Sequence, residues 1–325
     1  MKPHFCFFLS LALLARFAAA ANLDELNKKF AIYNGEMKFL AGEGGLPCID
    51  IHCATCTGRI YLQGSQVTAW QPAGADPVLF MSPKCVFQDG QPMRGGVPIC
   101  FPWYGALAGN PDAPTHGFAR VMEWTVDSAG LTARGEVVID MSLKNSDATK
   151  KYWDADFQIR HRVIFGSQLT MSLEVTNTGP APMQFAEVLH NYFAVKDVNK
   201  VSVAGLDNTD YIDKADRRTR KHQSGPVTIS GETDRLYVNT HNTCVITDAL
   251  MNRKISVEKS GSQMTAVYNP GPIKAIGIFD LGPTGWPGML CVETLNAEDA
   301  KITLKPGEIS KMQSLISIEP IPKQP

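Results

Sequence analysis

Apolar residues at every second position run through much of this chain, and that period commits it to β-sheets. Val137, Ile139, Met141 and Leu143 stand at alternate positions, as do Phe157, Ile159, His161, Val163 and Phe165. Successive strand side chains point to opposite faces, so such runs read as half-buried strands. Leu169, Met171, Leu173 and Val175 repeat the pattern after the turn at Gly166-Ser167. Shorter strands are predicted at 201–204, 226–230, 255–258, 275–279, 302–304 and 315–318, with Gly and Pro at most of the joins. One helix is predicted over 22–32, where Leu23, Leu26 and Phe30 recur at helical spacing with Lys28-Lys29 at the end. Many short strands without long helices between them predict an all-β chain, a large antiparallel β-sandwich.

At 325 residues the chain suits one large all-β domain or two average ones. No Pro-, Gly- or Ser-rich linker and no internal repeat divides it, so a single domain is predicted over 22–325. Residues 1–21 read as an export signal: Lys2 precedes an apolar stretch from Phe5 to Ala15, and Ala18 to Ala21 stand before polar Asn22. The stretch is too short to span a bilayer and Arg16 interrupts it, so the mature chain is expected to be periplasmic or secreted, without a membrane span. A cytoplasmic protein with an apolar N-terminus is the alternative. A formal net charge of -1 and the lack of a basic stripe argue against nucleic acid as a partner. Seven cysteines remain once Cys6 leaves with the signal; Cys48, Cys53 and Cys56 read as a local disulfide or as buried thiols on strands. Cys85 and Cys244 are further candidates for pairing.

Four stretches carry candidate chemistry. From Gln88 to Gly105 there is no strand period; Gly95-Gly96 permits positive φ or a close approach of backbone, and Pro92, Pro98 and Pro102 stiffen the loop. Arg94 beside those glycines is placed either as a receptor for a carboxylate or phosphate or as an ordinary salt-bridge arginine. Thr115 to Arg120 sets His116 against a glycine and a second arginine. In Glu187 to Phe193, His190 lies in an apolar run, so it is either hydrogen-bonded in the core or turned into a pocket. In Met289 to Asn296, Glu293 lies among apolar residues. It must be paired or have a raised pKa, and the second is also the condition of a general base.

The words Asp89-Gly90, Arg94-Gly-Gly-Val-Pro-Ile-Cys-Phe-Pro-Trp-Tyr-Gly105, His116-Gly-Phe-Ala-Arg120, Leu189-His-Asn-Tyr-Phe193, Thr233-Asp234-Arg-Leu-Tyr237 and Cys291-Val-Glu293-Thr occur in that order. In them the chain resembles the hexose-6-phosphate mutarotases, the glucose-6-phosphate 1-epimerase branch of the aldose 1-epimerase superfamily. The resemblance implies a sandwich whose concave face binds a sugar or sugar phosphate, with no metal, nucleotide or redox cofactor. It implies His190 as the acid at the ring oxygen, Glu293 as the base at the C1 hydroxyl, and His116 as a holder of the ring oxygen or a neighbouring hydroxyl. Asp234 would bind hydroxyls, and Arg94 and Arg120 the 6-phosphate. Trp103 is added as a face for the sugar ring, with a core tryptophan as the alternative. Where the family carries a Trp-Asn-Pro-Trp-like word this chain has Val267-Tyr-Asn-Pro-Gly-Pro272, followed by Lys274 as a further phosphate candidate. A monomer is expected. The rival readings are a sugar-binding protein on the same fold, an aldose 1-epimerase for unphosphorylated sugars, and a glycoside hydrolase; the last requires two flanking acids, and one is found.

Overall fold

The longest period-two runs become neighbouring strands toward one end of the largest sheet. Thr125–Leu131, Val137–Lys144, Phe157–Phe165 and Leu169–Asn177 follow one another as antiparallel neighbours, and Leu169–Asn177 pairs next with Ile309–Pro320. Arg253–Ser260, Cys244–Asp248, Val201–Ala204 and Val227–Thr228 complete nine strands. Alternate residues enter the core: Val137, Ile139, Ile159, Val163, Met171 and Leu173 are fully buried. Each such side chain contributes roughly 1.5–3 kcal/mol on burial. The computed structural model describes residues 22–30, 32 and 35–322, so the export signal at 1–21 lies outside the described residues.

A second sheet of eight strands carries the cavity described below. Its order is Thr219–His222, Asp210–Asp213, Thr233–Val238, Met264–Asn269, Met289–Asn296, Glu187–Leu189 and Ile99–Cys100, with Tyr192–Ala194 also paired to Met289–Asn296. A four-stranded meander, Met37–Ala41, Pro47–Cys53, Cys56–Tyr61 and Gln66–Pro72, packs on the same core. Ile60 and Trp70 of the meander, Ile159 and Phe165 of the large sheet, and Val267 and Val292 of the second sheet belong to one apolar cluster, so these sheets face each other. Met289–Asn296 is buried along its whole length. Leu290 and Val292 enter the shared core, whereas Cys291 and Leu295 pack on the opposite face. Glu293 shares that opposite face by alternation, so its carboxylate looks out of the sandwich.

Residues 22–29 form the predicted helix. The strand expected at 275–279 is not formed: Gly271–Ile276 is a short helix, followed by turns. The reason is local. The Asn269 side chain accepts from the Gly271 N–H and donates to the carbonyls of Trp286 and Met289, which ends the strand. Pro272 then supplies a φ suited to a first helical turn. Ile273, Ile276 and Phe279 are left exposed on this segment. The described cysteines are free thiols, so the strand-thiol reading holds and the local disulfide is not formed; Cys53 and Cys56 come closest, 3.3 Å apart across a tight hairpin. Among the described residues no helix is long and apolar enough to cross a membrane.

Candidate active site

Sheet register builds the centre of the site. Leu189 pairs with Thr294 and Tyr192 with Cys291, which brings His190 opposite Glu293. Between those pairs the strand kinks: the Asn191 N–H donates to the Leu189 carbonyl, and the Asn191 side chain donates across to the Val292 carbonyl. His190 thereby leaves the ladder and comes to lie with its Nε2 3.3 Å from Glu293 Oε1. The pair is close without being aligned as a hydrogen bond: both Glu293 oxygens and His190 Nδ1 are buried and meet no hydrogen-bond partner. Tyr192 stacks on the imidazole at 4.7 Å and nearly parallel, fixing the ring plane.

Burial raises the Glu293 carboxyl to about 8, opposed by Lys214 and assisted by Asp234. It pushes His190 well below the usual imidazole range, with His116, Arg120 and Arg94 adding to the effect. An imidazole that resists protonation beside a carboxyl that resists ionisation is a pair holding one proton near neutrality.

His116 is set by a second local device. It adopts φ 67° and the following Gly117 φ 80°, where an added Cβ would stand 2.0 Å from the Phe101 carbonyl oxygen. The His116 N–H donates to the Gly105 carbonyl, and the Gly105 N–H donates back to His116 Nδ1 at 3.1 Å. That reciprocal pair leaves Nε2 to carry the proton and to donate. Burial and the cations Arg120, Lys214 and Arg94 lower its pKa to about 3, so it stays neutral.

The loop bearing Arg94 is locked from both sides. Gly95 and Gly96 have φ 124° and 60°, and a Cβ on either would stand 2.3 and 2.2 Å from the carbonyl oxygens of Phe80 and Val67. The salt-bridge reading of Arg94 is observed: its guanidinium pairs with Asp280 at 3.1 Å and donates to the Tyr192 hydroxyl at 3.2 Å, and it also lines the cavity. Arg120 differs. It is buried, its Nε meets no acceptor, and no carboxylate pairs with it among the described residues. Desolvation lowers its pKa, which marks an uncompensated charge.

A cavity of about 420 Å³ brings together Arg94, His116, Arg120, His190, Asp234 and Glu293, and Lys274 lines it too. Trp103 does not: it packs edge-on against Phe118 and its indole N–H donates to the Pro114 carbonyl. It is the core tryptophan, steadying the loop that precedes His116. Sequence reasoning assigned no role to Tyr104, Tyr192, Tyr268 or Lys214, which also line the wall. Lys214 lies 3.6 Å from Asp234 and over the Tyr104 ring. Tyr192 had a signal, two residues from His190 on a strand; Lys214 and Asp280 sit outside any strand, and their neighbours in sequence announce nothing.

The chain matches the family model for "Aldose 1-epimerase" over residues 48–317. A relative from Escherichia coli K12 named "Putative glucose-6-phosphate 1-epimerase" is 36% identical over 253 residues, 77% of this chain and 84% of the relative. One of the same name from Cenchrus ciliaris is 33% identical, covering 78% of each chain. The crystal structure of "a putative mutarotase" from Salmonella typhimurium superposes with a TM-score of 0.83 at 30% identity, over 89% of this chain and 95% of that one.

Proposed function

The chain belongs to the aldose 1-epimerase family, and on that footing we propose that it interconverts the α and β anomers of a hexose 6-phosphate such as glucose 6-phosphate. The observation that carries this is a buried imidazole and carboxyl 3.3 Å apart, with both carboxyl oxygens free of hydrogen bonds, in the same cavity as the unpaired Arg120. Opening a hemiacetal ring requires a proton delivered to the ring oxygen and one removed from the C1 hydroxyl. His190 as the acid and Glu293 as the base meet that demand. Rotation about C1–C2 and reclosure with the roles exchanged yield the other anomer and restore the pair.

Burial, which raises Glu293 and lowers His190, favours the shared proton on Glu293. A phosphate dianion on Arg94 and Arg120 offsets two of the charges that oppose protonation of His190, so the substrate itself favours the arrangement with His190 as acid. His116 Nε2–H donates to a sugar oxygen, and Asp234, steadied by Lys214, accepts from hydroxyls. Arg120 favours an anionic sugar over a neutral one, because a cation buried without a partner gains most from a ligand that brings the counter-charge.

Polarimetry of glucose, galactose and glucose 6-phosphate, side by side, tests the reading. Glu293→Gln should slow interconversion by roughly 10²–10⁴-fold, the usual contribution of a positioned acid or base. A variant as fast as the wild type would sink the assignment, and calorimetric sugar binding without any acceleration would favour the binding-protein alternative.

A further inference from the structure

Beside the proton-transfer pair lies a buried thiol that the reaction leaves unused. Cys291 precedes Glu293 by two residues on Met289–Asn296, so both side chains leave the same face of the strand. His190 stands across from them on the neighbouring chain segment. One donor atom each from His190, Cys291 and Glu293 lie within 4.8 Å of one another, and all three residues are buried. A tetrahedral ion with bonds of about 2.0–2.3 Å holds its ligand atoms roughly 3.3–3.8 Å apart. The His190–Glu293 separation of 3.3 Å already meets that spacing, and closing the set onto the thiol takes side-chain movements on the order of 1 Å.

Imidazole, thiolate and carboxylate are the donors that zinc selects, and three protein ligands with a fourth position facing a cavity is the arrangement of an open zinc site. A second observation points the same way: the Glu293 oxygens are buried lone-pair donors with no hydrogen-bond partner to satisfy them. We propose that His190, Cys291 and Glu293 form a site for zinc and similar thiophilic divalent cations, and that its occupation is an off state of the enzyme. Binding releases two protons to solvent, the Cys291 thiol proton and the one shared by His190 and Glu293, and engages the lone pairs that would otherwise exchange protons with the sugar. Magnesium and calcium, which prefer oxygen ligands, do not compete. The binding stands on the geometry of the donors; the inhibition rests on the reading of His190 and Glu293 as the proton-transfer pair.

The test uses the full chain in chelator-treated buffer, with Cys53 and Cys56 both replaced by serine so that their thiols contribute nothing, and cobalt(II) as a visible probe for zinc. The expected result is a thiolate-to-cobalt charge-transfer band that zinc abolishes and that Cys291→Ser lacks. Zinc should slow anomer interconversion of glucose 6-phosphate, with inhibition roughly tenfold or more weaker in Cys291→Ser, whose metal-free rate is unchanged. No band, or a band and inhibition that survive Cys291→Ser, overturns the site. A band without inhibition keeps the site but overturns the off state, and with it the roles given to His190 and Glu293. Should Cys291→Ser fail to fold, zinc-edge X-ray absorption of the Cys291-containing chain decides: one sulfur among nitrogen and oxygen neighbours supports the site, and a shell without sulfur overturns it.

Discussion

Arg120 stands in the cavity with a buried Nε that meets no acceptor, whereas Arg94 a short way off is held by Asp280. On the proposed reading the two guanidiniums do different work on an anion: Arg94 is oriented in advance, and Arg120 supplies a charge that no carboxylate pairs with among the described residues. Arg120→Met should raise KM for glucose 6-phosphate by about 10- to 150-fold, the equivalent of one hydrogen bond to a charged group, and leave the rate on glucose nearly unchanged. Equal losses on both sugars would show a structural defect instead. The His190–Glu293 pair fixes the pH dependence. In the proposed mechanism activity needs one proton on the pair; Glu293 is raised to about 8, so that proton leaves as pH climbs past about 8, and His190, pushed well below its ordinary value, takes a second proton only in acid. Measured by polarimetry with chelator present and corrected for spontaneous mutarotation, kcat/KM should be level through neutrality and fall above about pH 8. The alkaline limb is the informative one, because the sugar phosphate itself titrates near pH 6, roughly. A rate that keeps rising through that range contradicts the single-proton pair. The identities of His190 and Glu293 were legible in the sequence through the words around them. A raised Glu293 carboxyl was foreseeable from its apolar neighbours; the depressed His190 was not, since it comes first from burial in a cavity that separate segments close and then from His116, Arg120 and Arg94.

At the scale of elements, two glycine-based devices hold charged side chains against a rigid sheet. Gly95-Gly96 lets the Arg94 loop approach the backbone of Phe80 and Val67 more closely than any Cβ permits, and Gly117 does the same against Phe101. The sequence showed the loop and its glycines because Gly and Pro act locally; it could not show which backbone they press against. Gly96→Ala would place a methyl 2.2 Å from the Val67 carbonyl oxygen at φ 60°. The cost should be about 1–3 kcal/mol or more, seen as a melting temperature lower by several degrees, together with a raised KM for glucose 6-phosphate as Arg94 is displaced. An unchanged melting temperature and KM would mean the loop relaxes freely and does not position Arg94. The segment after Asn269 shows the opposite limit. Its apolar residues suggested a strand, but three hydrogen bonds of one asparagine side chain, two of them to residues 17 and 20 positions away, turn the chain into a short helix and the turns after it, leaving Ile273 and Phe279 in solvent.

For the whole molecule, the alternation that made the sandwich legible also explains where the site lies. A strand buried on both faces has room for a carboxylate only where the outer face is covered by loops rather than by another sheet, and Met289–Asn296 is such a strand. The covering loops come from around Arg94, His116, Lys214 and Lys274, so the cavity exists only once distant parts of the chain are closed together. The helix over 22–29 is tied down away from the cavity: Leu23 and Leu26 pack on the main core, and the Asn27 side chain both donates to and accepts from the Phe39 backbone at 2.8 Å. A chain beginning at Asn22 keeps these contacts, and it should melt and turn over like the full-length protein. Removing residues 22–30 as well should lower the melting temperature, because it uncovers part of the core and leaves the Phe39 N–H and carbonyl without the Asn27 side chain. The export reading makes the same boundary a cleavage site, so N-terminal sequencing of protein recovered outside the cytoplasm of its host should return Asn22 first. Recovery of the chain only from the cytoplasm with residues 1–21 intact would overturn export.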